Sequence, residues 1–61
     1  MVTHYILYDP SMMMFVAAGS RLMYTHKLNT AKHFSSEWAA RTFRDRYTEL
    51  ECYSIKKIVH Y

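Results

Sequence analysis

Between Ser36 and Leu50 the apolar residues recur with the period of a helix, and no other stretch of the chain sustains that period. At about 100° per residue, Ala39, Ala40, Phe43, Tyr47 and Leu50 fall in one arc roughly 100° wide, the stripe of a helix laid on a sheet. Glu37, Arg41, Arg44, Asp45 and Thr48 occupy the opposite arc. There Glu37 to Arg41 and Arg41 to Asp45 stand at i,i+4, where opposite charges support a helix by about 0.2–0.5 kcal/mol each. Ser35 or Ser36 supplies an N-cap, and Glu37 suits the positive end of the helix dipole. The spacing predicts a helix over 36–50, ending where Cys52 to Tyr61 turns strand-like in composition.

A helix with one apolar stripe needs a surface to cover it, and the flanking segments read as strands. Thr3 to Tyr8 is β-branched and aromatic and ends at Asp9-Pro10-Ser11, a turn in which proline presets φ. Met12 to Ala18 is apolar throughout and stops at Gly19-Ser20, as the second strand of a hairpin would, and its three consecutive methionines are read as flexible core filling in preference to a Met-rich recognition surface. Leu22 to Thr25 offers a short third strand. His26 to His33 is a polar connection with room for one helical turn around Leu28 to Ala31. At the end, Tyr53, Ile55, Lys57, Val59 and Tyr61 alternate with Ser54, Lys56, Ile58 and His60, a strand with its apolar groups mainly on one face. The expected fold class is α+β: a small antiparallel sheet of three or four strands with one helix packed on one face, in the order ββ(β)αβ, as a single domain over 1–61.

At 61 residues such a domain buries only about 60% of the surface its unfolded chain exposes. Chains this short lean on disulfides, a metal or a partner chain. Cys52 is the sole cysteine and cannot form an internal disulfide, so association is expected, a homodimer being one form. Hydrophobic residues at 51%, with six Tyr, three Phe and one Trp, belong to an ordered chain. Met1-Val2-Thr3 leads into strand-like sequence without a basic, then apolar, leader, and no apolar run reaches membrane-spanning length. A lone thiol suits a reducing compartment, so a cytoplasmic protein with no membrane association is expected.

The formal net charge of +3 is mildly basic and favours acidic partners, but there is no basic run beyond Lys56-Lys57 and the trio Arg41, Arg44 and Arg46. The parts of known catalytic constellations are missing: no Gly-rich phosphate loop, no HExxH, no CxxC. Among His4, His26, His33 and His60 the nearest pair, His26 and His33, is wider than zinc-ligand spacing, so surface histidines are expected. Cys52 follows Glu49 and Glu51, which disfavour its thiolate, and is read as a small buried or half-buried residue. Asp45, Glu49 and Glu51 read as solvated ion-pair partners of the helix arginines. No enzyme activity, cofactor or metal site is expected.

Trp38 breaks the helix pattern, lying opposite Phe43 and Tyr47 by angular count. Two placements satisfy the sequence: the indole folds back over Phe34 or Leu28 at the first helical turn, or it stands exposed as a contact residue beside Arg41 and Arg44, the residue types of binding hot spots. A second candidate surface is the sheet face away from the helix, since Tyr5, Tyr8, Phe15, Tyr53 and Tyr61 cannot all point inward.

Ala31-Lys32-His33-Phe34-Ser35-Ser36, then Ala40-x-x-Phe43 and Tyr47, then a closing strand, resembles a pattern in many small uncharacterised proteins of tailed bacteriophages. In these an N-terminal hairpin leads to an A-K-x-F-x-[ST] entry, a helix and a final strand. The resemblance covers nearly the whole chain, with Ala39 standing where such proteins more often carry a Glu that completes a capping box with Ser36. It implies an accessory protein that acts by binding a host component, inhibition of a defence enzyme included.

Two functions follow as expectations. The first is a non-enzymatic protein-binding module, an inhibitor or modulator of a host protein with an acidic surface, using Trp38, Arg41 and Arg44. The alternative is a small nucleic-acid binder that stacks bases on sheet tyrosines while Arg41, Arg44, Lys56 and Lys57 meet phosphates, though no RNP-like K/R-G-F/Y sequence is present.

Overall fold

A computed structural model describes residues 2–60, the side chain of His60 excepted. Tyr61, assigned above to the last strand and the surplus aromatic surface, and Met1 lie outside the described residues, as does the side chain of His60. The architecture is α+β: four antiparallel strands, β1 (Val2–Asp9), β2 (Met14–Val16), β3 (Tyr24–Thr25) and β4 (Ser54–His60), lie in the order β3-β2-β1-β4, with one helix, α1 (Glu37–Arg46), packed against them.

The hairpin turn forms where the sequence places it. Asp9 Oδ1 accepts from both the backbone N–H and the hydroxyl of Ser11, at 3.0 and 2.8 Å, the local bond that lets Asp initiate a turn. The turn runs through Met13, whose φ of 54° is left-handed, so β2 starts only at Met14. This corrects the expectation of a strand over 12–18 with core methionines: Met12 and Met13 belong to the turn and are 62% and 66% exposed. β2 ends at Val16, and in the bend beyond it Gly19 has a φ of 139°, a conformation that residues with a Cβ rarely adopt.

Because β2 pairs with β1 only at Tyr8 and Asp9, the rest of that edge of β1 needs other partners. Phe34 supplies one at Tyr5, while the 3₁₀ turn Leu28–Thr30 and the two residues after it pair with the far end of β2. Ala31 bridges to Ala17, Lys32 N–H donates to Val16, and Phe34 bridges to Tyr5. Beyond Phe34, Ser36 caps α1, its hydroxyl accepting from Ala39 N–H at 3.1 Å.

The helix is shorter than predicted. Tyr47 is extended, with φ −122° and ψ 124°, and Thr48–Leu50 forms a separate 3₁₀ turn. No Gly or Pro marks this break, but Arg44 and Arg46 in the last turn complement the dipole's negative end. The stripe still packs as one surface. Ala40 and Leu50 are buried with Leu7, Val16, Phe34 and Tyr53, and Ala39, Phe43 and Tyr47 lie half-buried against them. Full burial of a Leu such as Leu50 stabilises by about 1.5–3 kcal/mol. The register sorts the sheet faces: Leu7 opposes Ile55 on the helix side, whereas His4 opposes Ile58 and Tyr8 opposes both Ser54 and Phe15 on the other side.

Candidate functional site

Strand alternation and helix period leave three surfaces with chemical character. The first is the outward face of α1. Trp38 is 74% exposed, and among the described residues its indole makes neither a hydrogen bond nor a ring contact. It does not fold back over Phe34 or Leu28. One turn on, the Thr42 hydroxyl donates to the Trp38 carbonyl at 2.8 Å, and exposed Arg41 lies on the same side at i+3. Arg44 does not join them. Its Nη1 donates to the Tyr53 carbonyl at 3.2 Å and its Nε stands 4.0 Å from Asp45, with only 30% of the side chain exposed. The helix period requires this, because Arg44 lies on the boundary between the exposed and buried arcs. Of the three residues expected to form one site, the structure brings together Trp38 and Arg41, and gives Arg44 a tether between α1 and β4.

The second surface is the sheet face away from the helix. Tyr8 and Phe15, cross-strand partners, have ring centroids 4.9 Å apart, and Lys56 Nζ sits 5.3 Å over the Tyr8 ring, a cation–π contact. Towards the other end His4 and His33 stack at 4.1 Å beside an apolar groove of about 460 Å³ lined by Leu28, Asn29 and Ile58. Surplus aromatic surface is therefore present, contributed by Tyr8 and Phe15, while Tyr5 and Tyr53 turn to the helix side. Lys57 projects to the opposite face from Lys56, so Arg41, Arg44, Lys56 and Lys57 are spread over separate surfaces rather than joined in one phosphate-tracking stripe.

The third surface, at the turn end of the sheet, was invisible in the sequence. A groove of about 320 Å³ is lined by Asp9, Met12, Met14, Tyr24, Glu49 and Tyr53, residues contributed by β1, the turn, β2, β3, the 3₁₀ turn after α1, and the lead-in to β4. The Tyr24 and Tyr53 centroids are 6.0 Å apart. Burial, with smaller contributions from Tyr24 and Asp9, pushes the Tyr53 phenol above its ordinary value. Asp9 read only as a turn residue; the signal that it also faces inward is its odd position in β1, in step with Tyr5 and Leu7.

Cys52 is exposed, contrary to the buried or half-buried expectation, because Tyr53 takes the inward position before β4 and turns Cys52 out into the preceding turn. Among the described residues no three His, Cys, Asp or Glu side chains converge in a way that could hold a metal, and no helix is long and apolar enough to cross a membrane. Comparison with protein families, with curated proteins and with solved structures gives no match to this chain.

Proposed function

We propose that the chain is a non-enzymatic protein-binding module whose contact surface is the outward face of α1, centred on Trp38 and flanked by Arg41. The observation that carries this reading is the 74% exposure of the one tryptophan, on a helix whose other face alone does the packing. A tryptophan offers a large, rigid contact area and dominates the interfaces it enters. Arg41 and the net charge of +3 favour an acidic partner surface. The resemblance to bacteriophage accessory proteins supplies the class of partner, a host protein that this chain would inhibit or modulate.

The test is comparative capture from host lysate with the tagged full chain, its Trp38→Ala variant and a Cys52→Ser control. A protein retained by wild type and control but lost by Trp38→Ala supports the surface. Equal retention by all three overturns it.

A second reading, nucleic-acid binding, rests on the half-buried Tyr8–Phe15 pair, with Lys56 over the Tyr8 ring, on the sheet face away from the helix. Single-stranded DNA titrated at low and then rising salt decides it: binding that weakens with salt and is lost in Tyr8→Ala supports it, and no affinity at low salt removes it.

A further inference from the structure

We propose that the groove at the turn end of the sheet binds an alkylammonium group, the end of a lysine side chain presented by a partner protein. Asp9 is the anchor. It is 8% exposed, and the contacts made by its carboxylate are those of one oxygen, Oδ1, with the Ser11 N–H and hydroxyl. All eight Lys and Arg residues are described, yet none lies within ion-pair distance of Asp9; the one ion pair among the described residues is Arg44 with Asp45. The second oxygen of Asp9, Oδ2, takes no hydrogen bond from the described residues and is reached by solvent, so a positively charged ligand in the groove can supply the partner that the chain itself withholds.

The walls select the kind of cation. Tyr24 and Tyr53, in ring contact with centroids 6.0 Å apart, form an aromatic wall, and Met12 and Met14 offer polarisable, apolar surface for a hydrocarbon stem. Glu49 adds a second carboxylate at the rim. Two carboxylates with aromatic walls fall far short of the six to eight oxygen ligands of Ca²⁺, and suit an ammonium on an alkyl chain instead. A partner-borne lysine fits better than a free amine because exposed Met12 and Met13 form an adaptable apolar border over which a partner chain can lie. This site stands independently of the α1 face.

The probe is acetyl-Ala-Lys-Ala-amide, titrated into the full chain and followed by NMR, against the same peptide with norleucine replacing lysine. The lysine peptide should shift the Tyr24 and Tyr53 ring signals and the Ser11 amide saturably, and the norleucine peptide should bind at least about tenfold more weakly, the scale of losing a charged hydrogen bond. Asp9→Asn, which keeps an acceptor for Ser11, should weaken lysine-peptide binding by at least about tenfold, and Glu49→Gln by about two- to fivefold. Trp38→Ala should leave it unchanged. Should Asp9→Asn fail to fold, Glu49→Gln and Tyr24→Leu carry the same test. Equal binding of both peptides, or indifference to the Asp9 and Glu49 changes, overturns the site. A dimer in light scattering that Asp9→Asn converts to monomer places a second copy's lysine there and overturns the partner assignment.

Discussion

Phe34 and Tyr5 exchange both of their backbone hydrogen bonds, at 2.8 and 2.9 Å, so the residue that leads into the helix is also a strand residue on the free edge of β1. That bridge fixes where α1 begins, two residues before the Ser36 cap. It also drives the Phe34 ring into the core, 8% exposed and 5.4 Å from the Phe43 ring, with Lys32 over both rings. Phe34→Ala should cost about 3–5 kcal/mol, close to the whole stability of so small a domain, and leave the chain largely unfolded at 25 °C by circular dichroism. Phe34→Leu should remain folded with a lowered denaturation midpoint.

Arg44 and Arg41 are separated by three residues and by role. Arg44→Glu breaks a charged hydrogen bond to the Tyr53 carbonyl and sets a like charge beside Asp45, so it should lower stability by about 1–2 kcal/mol, discounted for its partial exposure. Arg41→Glu, on the solvated face, should stay within about 0.5 kcal/mol of wild type. Urea denaturation of the two variants side by side checks the contrast. Equal losses would mean that the Arg44 tether contributes nothing.

The helix stripe, the Asp9-Pro10-Ser11 turn and the β4 alternation were legible because each depends on residues close in sequence. What was not legible depends on partners distant in the chain. The period places both Phe43 and Leu50 on the core stripe, yet Phe43 is only half-buried while Leu50, in the 3₁₀ turn beyond the break at Tyr47, is fully buried. Whether Met12 and Met13 enter β2 is decided by turn length, which composition does not encode. Trp38 and Arg41 were readable from helix angle alone; the tether of Arg44 was not, since its acceptor is a carbonyl nine residues away. The Asp9 groove is assembled from six separate segments, and no local pattern announces it.

Met13 closes the β1–β2 turn with a φ of 54°, a conformation that costs a residue with a Cβ about 1–2 kcal/mol and glycine almost nothing. Its side chain is 66% exposed, so little packing is lost on its removal. Met13→Gly should therefore raise stability by about 0.5–1 kcal/mol, the gain being reduced by the greater freedom of glycine in the unfolded chain. A melting temperature at or below that of wild type would mean that Met13 packs or binds in a way that outweighs the turn strain.

The raised Tyr53 phenol sets a pH dependence of definite sign. Below about pH 10 the phenol is protonated in both folded and unfolded chains and contributes no slope. Above that pH the unfolded chain releases the proton while burial, Tyr24 and Asp9 hold it on in the folded chain, so stability falls as pH rises toward the folded value. The slope from this one group is at most about 1.4 kcal/mol per pH unit. Urea midpoints at pH 9 and pH 11 should drop further for wild type than for Tyr53→Phe. Equal drops would assign the alkaline loss to other groups.

Trp38 separates binding from folding. The indole is 74% exposed and its packing contributes little, while alanine is the better helix former, so Trp38→Ala should leave the melting temperature unchanged or raise stability by up to about 0.5 kcal/mol. Against a captured partner, the same change should cost at least about 2 kcal/mol, roughly thirtyfold in affinity, because a central tryptophan loses its whole contact area on truncation. Arg41→Glu should act differently, slowing association with an acidic surface more than it hastens dissociation, with an effect that shrinks as salt is raised. Surface plasmon resonance at two ionic strengths resolves the two signatures. A Trp38→Ala variant that melts as low as a core truncation would make the indole a packing residue and remove the α1 face as the contact surface.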